Sequence, residues 1–259
     1  MKIILISVLI GTSLQCYSAD KDSLFINPDT TLVKIVKTAP TNFTNSKLLN
    51  YAIPAVCIGY GFFSLDNDFL EITDRAINTD MREDHPNFKT NIDDKLQYAP
   101  MLAVYGLNLL GVKSKNNFID KTAIYLISNT LMGMSVDFLK TKTHKIRPNG
   151  SGRAFPSGHT ATAFVAAEFI RQEFKDVSPW YGFAGYTVAS ATGTLRMLKN
   201  AHWFSDVVTG AGIGILTTRL TYLAYPLLKK GIQKNTNLNL MITPTMYQGK
   251  PGIYAVLPL

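Results

Sequence analysis

The chain has 259 residues, room for one sizeable core and too few for two full domains. Hydrophobic residues make up 46% and charged residues 17%, below the ~25% charged of an average soluble domain, so apolar stretches are dense. A net charge of +8, from 26 basic and 18 acidic residues, calls for an anionic partner. A membrane surface or a phosphorylated substrate fits; nucleic acid does not, since the sequence has no zinc-finger spacing, basic helix or aromatic RNA-binding box.

Residues 1–19 read as a secretion signal: Met1-Lys2, an apolar run over 3–10, then small residues Ser18 and Ala19 at a cleavage point. The apolar run is short for an anchor helix, and Gln15 before Cys16 disfavours a lipoprotein signal. Cleavage after Ala19 leaves Cys57 as the one cysteine, which excludes an internal disulfide. Residues 20–47 form a polar arm. Six apolar segments follow, at 48–65, 96–112, 123–139, 159–174, 180–198 and 207–228. Each is long enough for a helix and lacks the two-residue alternation of a strand. Small residues such as Gly210, Gly212 and Gly214 allow helices to approach closely. An acidic, polar stretch over 66–94 joins the first two segments. At the end, apolar runs at 238–242 and 253–257 flank Gln248-Gly249-Lys250-Pro251-Gly252, the pattern of a β-hairpin.

Two stretches combine cations, Ser, Gly and His at short spacing. In the first, Lys140 ends an apolar segment, Arg147-Pro148 follows in a loop, and Pro156-Ser157-Gly158-His159 opens the fourth segment. Pro148 forces the chain out of helix. Ser157 and Gly158 stand at a helix N-terminus, where free backbone N–H groups and the helix dipole attract anions. Arg147 offers a planar fork of donors suited to phosphate oxygens. The second stretch holds Arg196, His202 and Asp206. His202 and Asp206 are four apart and share a face on a helical turn. A carboxylate on one imidazole nitrogen frees the other to attack. His159, beside the anion site, can protonate a departing alkoxide.

Lys-x6-Arg-Pro, Pro-Ser-Gly-His and Arg-x5-His-x3-Asp, in this order over Lys140 to Asp206, resemble the three-part signature of the type-2 phosphatidic-acid phosphatase (PAP2) and vanadium haloperoxidase superfamily, in its bacterial lipid phosphatase branch. The resemblance implies an all-α fold, a six-helix PAP2-type bundle embedded in a membrane over 48–230, with a tail at 231–259 carrying the hairpin. It implies that His202 is a nucleophile forming a phosphohistidine, that Asp206 orients it, and that His159 is the general acid. Lys140, Arg147, Ser157, Gly158 and Arg196 resemble the phosphate-binding set. No metal or other cofactor is implied, the cations taking the place of a divalent ion. One position departs from the pattern: Leu195 stands where the third motif usually has Ser, which removes a hydroxyl. His144 and Lys142 fall off the matched positions and read as loop residues.

The implied activity is hydrolysis of a phosphate monoester or diphosphate on a lipid: phosphatidic acid, undecaprenyl diphosphate or lipid A. The alternatives are a soluble secreted acid phosphatase and, less well matched in size, a vanadate-dependent haloperoxidase. Lysines and arginines at 113–121, 171–175 and 229–234 fall on one side of a six-span bundle, and the motif loops on the other. The positive-inside rule then turns the site toward the periplasm. A cleaved signal followed by six spans turns it inward, so the two expectations hold together if the signal is retained or absent, if the first segment does not span, or if the bundle does not cross a membrane at all.

Overall fold

The computed structural model describes residues 47–236 and two strands, β1 (Met241–Tyr247) and β2 (Lys250–Val256). The signal expected over 1–19, and the arm as far as residue 46, lie outside the described residues. Eight helices occur among the described residues, against six expected: α1 (Lys47–Phe63), α2 (Asp68–Asp84), α3 (Ile92–Leu96), α4 (Ala99–Leu109), α5 (Phe118–Thr143), α6 (Gly158–Phe174), α7 (Pro179–Leu198) and α8 (Phe204–Thr236). Six coincide with the apolar segments. The other two, α2 and α3, occupy the acidic stretch read as a connector. Low hydropathy hid them, and local chemistry makes α2 a helix. Asn67 caps it by accepting the Leu70 N–H at 3.2 Å. Asp68 and Glu71 sit in its first turn and Arg82 in its last, matching the helix dipole. Arg75 pairs with Glu71 one turn back at 2.6 Å.

The remaining helices start and stop by similar means. Asn117 caps α5 through the Asp120 N–H at 2.8 Å, and His144 ends it in the left-handed conformation at φ 49°. Ser178 caps α7, with Pro179 in its first turn, where a missing N–H costs no hydrogen bond. Ser157 caps α6.

Helix α6 is the hub, buried over most of its surface. It packs on α7, α5 and α4. Ala163, Phe164 and Ala167 of α6 meet Ala189 of α7 and Ala211 and Ile215 of α8 in one apolar cluster. Glycine permits a close approach of α8: a Cβ at Gly210 would lie 2.5 Å from the Ser157 carbonyl oxygen. Below the site, the fully buried Glu168 accepts from Arg171 at 2.7 Å, Gln172 at 2.7 Å, Arg219 at 2.9 Å and Tyr186 Oη. That carboxylate ties α6, α7 and α8 together through charge-assisted hydrogen bonds.

Among the described residues one stretch, Phe204–Gly231 within α8, is long and apolar enough to cross a membrane. The tail strands pair antiparallel, from Met241 opposite Val256 to Tyr247 opposite Lys250. They lie further toward the turn than the apolar runs alone suggest. The strands belong to a compact unit of their own, Leu220–Leu259, and the candidate site belongs to the other, Met1–Arg219.

Candidate functional site

Four pieces of chain meet at one end of the first unit: the last turn of α5, the loop over 144–157 with the start of α6, the end of α7, and the loop over 199–203 with the start of α8. The long loop is folded on itself. Arg147 N–H donates to the Ser151 carbonyl at 2.7 Å, and Ala154 N–H to the Lys145 carbonyl at 2.8 Å. Lys140 Nζ donates to the Arg153 carbonyl at 2.8 Å, which binds the loop to α5. Trp203 Nε1 donates to the Ile146 carbonyl at 2.7 Å, and Ser157 N–H to the Asp206 carbonyl at 3.0 Å, joining the two motif stretches. The Phe155–Pro156 peptide bond is cis.

His202 and Asp206 come together as the spacing predicts, although His202 precedes α8 rather than standing in it. His202 is 2% exposed and Asp206 fully buried. Imidazole Nδ1 stands 3.4 Å from Asp206 Oδ2, close enough for strong electrostatic coupling but not aligned as a hydrogen bond. Contacts of this kind tighten when substrate binds. Oδ2 also accepts the Trp203 N–H at 2.9 Å, which fixes the carboxylate plane. Burial depresses the His202 imidazole to about 4; Lys140 and Arg196 add to this, and Asp206 opposes it. His202 is therefore neutral, with a free nitrogen lone pair, at ordinary pH.

The cations converge on the same place. Arg147 and Arg196 each keep a buried Nε with no acceptor among the described protein groups. Buried donors are rarely left unpaired, and an oxyanion is the partner that two guanidinium groups and a lysine suit. Burial and the nearby Arg196 charge lower Arg147 from its ordinary value, while Asp206 raises it. Lys140 acts on both His202 and Asp206. Ser157 is buried at the α6 cap, with Oγ 2.9 Å from Thr160 Oγ1. A Cβ built on Gly158 would find Val136 Cγ1 at 3.8 Å as its nearest neighbour beyond the adjacent chain. The fold therefore does not itself require glycine there, and backbone access for a ligand is the remaining reason.

His159 points to an unexpected partner: its Nε2 lies 2.8 Å from Asp94 Oδ1. Asp93, fully buried, accepts from Arg196 Nη1 at 2.7 Å and from Lys199 Nζ at 2.9 and 3.0 Å. Burial pushes the Asp93 carboxyl up, but the Arg196 and Lys199 contacts outweigh it and hold the group below the usual range. Asp93, Asp94 and His159 bring potential ligand atoms within 4.8 Å of one another. Asp93 is already committed to two cations, so this group fits a salt-bridge cluster better than a metal centre. Sequence reasoning missed both aspartates because they lie in the stretch read as a connector, and the density of acidic residues there was the one available signal.

Residues 136–230 match the family model described as the PAP2 superfamily. A curated relative, lipid A 1-phosphatase of Porphyromonas gingivalis, is 35% identical over 176 residues, 67% of this chain. The aligned region spans 38% of that relative's length. Two solved structures are similar. Aquifex aeolicus LpxE aligns with TM-score 0.43 at 21% identity, covering 55% of this chain and 92% of that one. A transmembrane PAP2-type phosphatidylglycerolphosphate phosphatase from Bacillus subtilis aligns with TM-score 0.47 at 16% identity, covering 71% and 98%.

Proposed function

We propose that this chain, whose residues 136–230 match the PAP2 superfamily model, is a metal-independent phosphatase acting on a phosphorylated lipid through a phosphohistidine at His202. The observation that carries the reading is the pair of buried, unpaired guanidinium Nε atoms, on Arg147 and Arg196, beside a buried neutral histidine backed by a carboxylate.

In this mechanism Lys140, Arg147 and Arg196 hold the phosphoryl oxygens, with Ser157 and the Gly158 N–H at the start of α6. The Nε2 lone pair of His202 attacks phosphorus while Asp206 steadies the charge that develops on the ring. The bond from phosphorus to the ester oxygen breaks, and His159 supplies the proton that this oxygen takes up. His159 then removes a proton from water, whose oxygen attacks phosphorus. The P–N bond breaks, releasing phosphate and restoring His202. The positive charge that stabilises the transferring group comes from the three side chains.

The lipid assignment rests on the relative, named for lipid A, and on exposed apolar side chains of α4 and α5, among them Leu102, Leu109, Leu126, Met134 and Phe138. Large apolar side chains exposed in this number suit acyl chains or a bilayer better than water. On this reading residues 48–230 are the phosphatase domain, placed in the cell envelope with its site toward the periplasm. A soluble acid phosphatase is the second reading, since the candidate span Phe204–Gly231 is more than half buried, as the core helix of such a protein would be.

The test is phosphate release from lipid A, phosphatidic acid, undecaprenyl diphosphate and a small aryl phosphate, in EDTA, with His202→Ala alongside. Release from a lipid that survives EDTA and disappears in the variant supports the reading. Equal release from the aryl phosphate without detergent selects the soluble alternative. Release unaffected by His202→Ala rejects the nucleophile.

A further inference from the structure

Asp206 is held from behind by a charge network whose members, Lys145, Ser205 and Asp74, are not among the matched positions of the three motifs. Its Oδ1 is buried and lacks an aligned hydrogen bond, but Lys145 Nζ stands 3.3 Å away. Lys145 is itself held, by Ser205 Oγ at 2.8 Å and Asp74 Oδ2 at 3.2 Å. The Phe155 ring lies beneath its ammonium at 5.8 Å. Asp74, 2% exposed on α2, accepts the Ser205 N–H at 2.9 Å on its other oxygen and takes Ser205 Oγ–H as well. Asp74 thus pins the first turn of α8, in which Asp206 stands, and Lys145 joins the two carboxylates. Asp74 is buried and Lys145 is half-buried, so an unpaired carboxylate here would be costly. The Lys145 cation makes it tolerable.

We infer that Lys145 and Asp74 are positioning residues for the His202 reaction, holding the Asp206 carboxylate beside the imidazole and setting, with opposite signs, the charge that the imidazole feels. The inference rests on the proposal that His202 is the nucleophile. Asp206 has two oxygens, and rotation about its terminal bond would turn either one away from His202. Trp203 N–H holds one oxygen and Lys145 the other, so rotation breaks both contacts. Electrostatically, the Lys145 cation draws charge away from the His202 side of Asp206, and the Asp74 anion restores it. The other charged groups facing this pair are Lys140 from α5, Arg147 from the long loop and Arg196 from α7. Tyr60 of α1 faces Asp74. All of these stay in place when Lys145 or Asp74 is changed.

The experiment measures kcat and KM against pH for the full chain and for Lys145→Met, Lys145→Arg and Asp74→Asn, on the best substrate of the panel above. Lys145→Met is expected to lower kcat on the order of 10²-fold with KM nearly unchanged, the loss typical of a slightly misplaced catalytic group. Loss of its cation makes His202 easier to protonate, so the acid limb of the profile moves up by about one pH unit. Loss of the Asp74 anion moves that limb down by about as much. Lys145→Arg keeps the charge and retains the wild-type limb. A purely structural role predicts lower activity with no change in profile, so unshifted limbs, or limbs that shift the same way in both variants, overturn the inference. Urea unfolding reads the integrity of each variant. Should Lys145→Met fail to fold, the comparison of Lys145→Arg with Asp74→Asn decides alone. An active wild type that His202→Ala leaves active refutes the nucleophile instead, an outcome distinct from unshifted limbs.

Discussion

Burial of His202 makes the stability of the fold depend on acid in a way that can be isolated. The imidazole is 2% exposed and depressed from 6.5 to about 4, chiefly by burial. The unfolded chain therefore takes up this proton first as pH falls, and the folded chain resists it. Stability attributed to His202 is full above about 6.5, declines between about 6.5 and about 4, and is level below that. A gap of roughly 2.5 in pH, at about 1.4 kcal/mol per pH unit, gives a loss of about 3 kcal/mol over the window. The assay is urea unfolding of wild type and His202→Gln at several values between pH 7 and pH 4. The wild type should lose about 3 kcal/mol more than the variant over this range. Parallel stability curves would show that the imidazole titrates in the fold as it does in the unfolded chain. The same protonation removes the attacking lone pair, so kcat/KM of the free enzyme should fall as pH drops through about 4.

Arg147→Ala and Arg196→Ala should each lower kcat/KM by about 10²–10³-fold, the loss expected for one preorganised donor to a developing oxyanion, and steady-state kinetics on the preferred lipid checks this. Glu168→Ala leaves Arg171 and Arg219 facing a buried gap. It should cost about 3–5 kcal/mol in urea unfolding, the loss typical when one partner of a buried ion pair is removed. Gly210→Ala puts a methyl group 2.5 Å from the Ser157 carbonyl oxygen. It should destabilise by about 1–3 kcal/mol, seen as a lower melting temperature, because backbone cannot yield as a side chain can.

The half of the candidate site around His202 and Ser157 was legible because its groups sit at fixed short spacings. His202 and Asp206 are one helical turn apart, and Ser157 caps the helix that carries His159. The apolar segments likewise marked six helices, since burial against α6 demands dense Ala, Val and Phe. Helix α2 escaped notice because its stability comes from caps and ion pairs, which leave no hydrophobic signal. Asp93 and Asp94 were missed for a different reason. Their partners Arg196, Lys199 and His159 lie 65 to 106 positions away, and no spacing rule spans such a distance.

The acidic stretch then has a physical purpose that the motifs alone leave unexplained. The candidate site brings Lys140, Arg147, Arg196, Lys145 and Lys199 near one another, and such a cluster of cations repels itself in a dry interior. Asp93 answers two of these cations and Asp74 a third, each through a buried carboxylate. Neither reaches the Nε atoms of Arg147 and Arg196, which stay unpaired. The carboxylates hold the cluster together from the rear and leave those forward donors unspent. An Asp93→Asn variant should therefore destabilise the fold by about 3–5 kcal/mol, because two cations would then share one neutral amide. Inorganic phosphate should recover part of that stability in urea unfolding, since an anion that binds the folded state alone raises its stability by mass action. A variant whose loss phosphate leaves unchanged would show that Asp93 braces α3 against α7 without balancing the charge of the cluster.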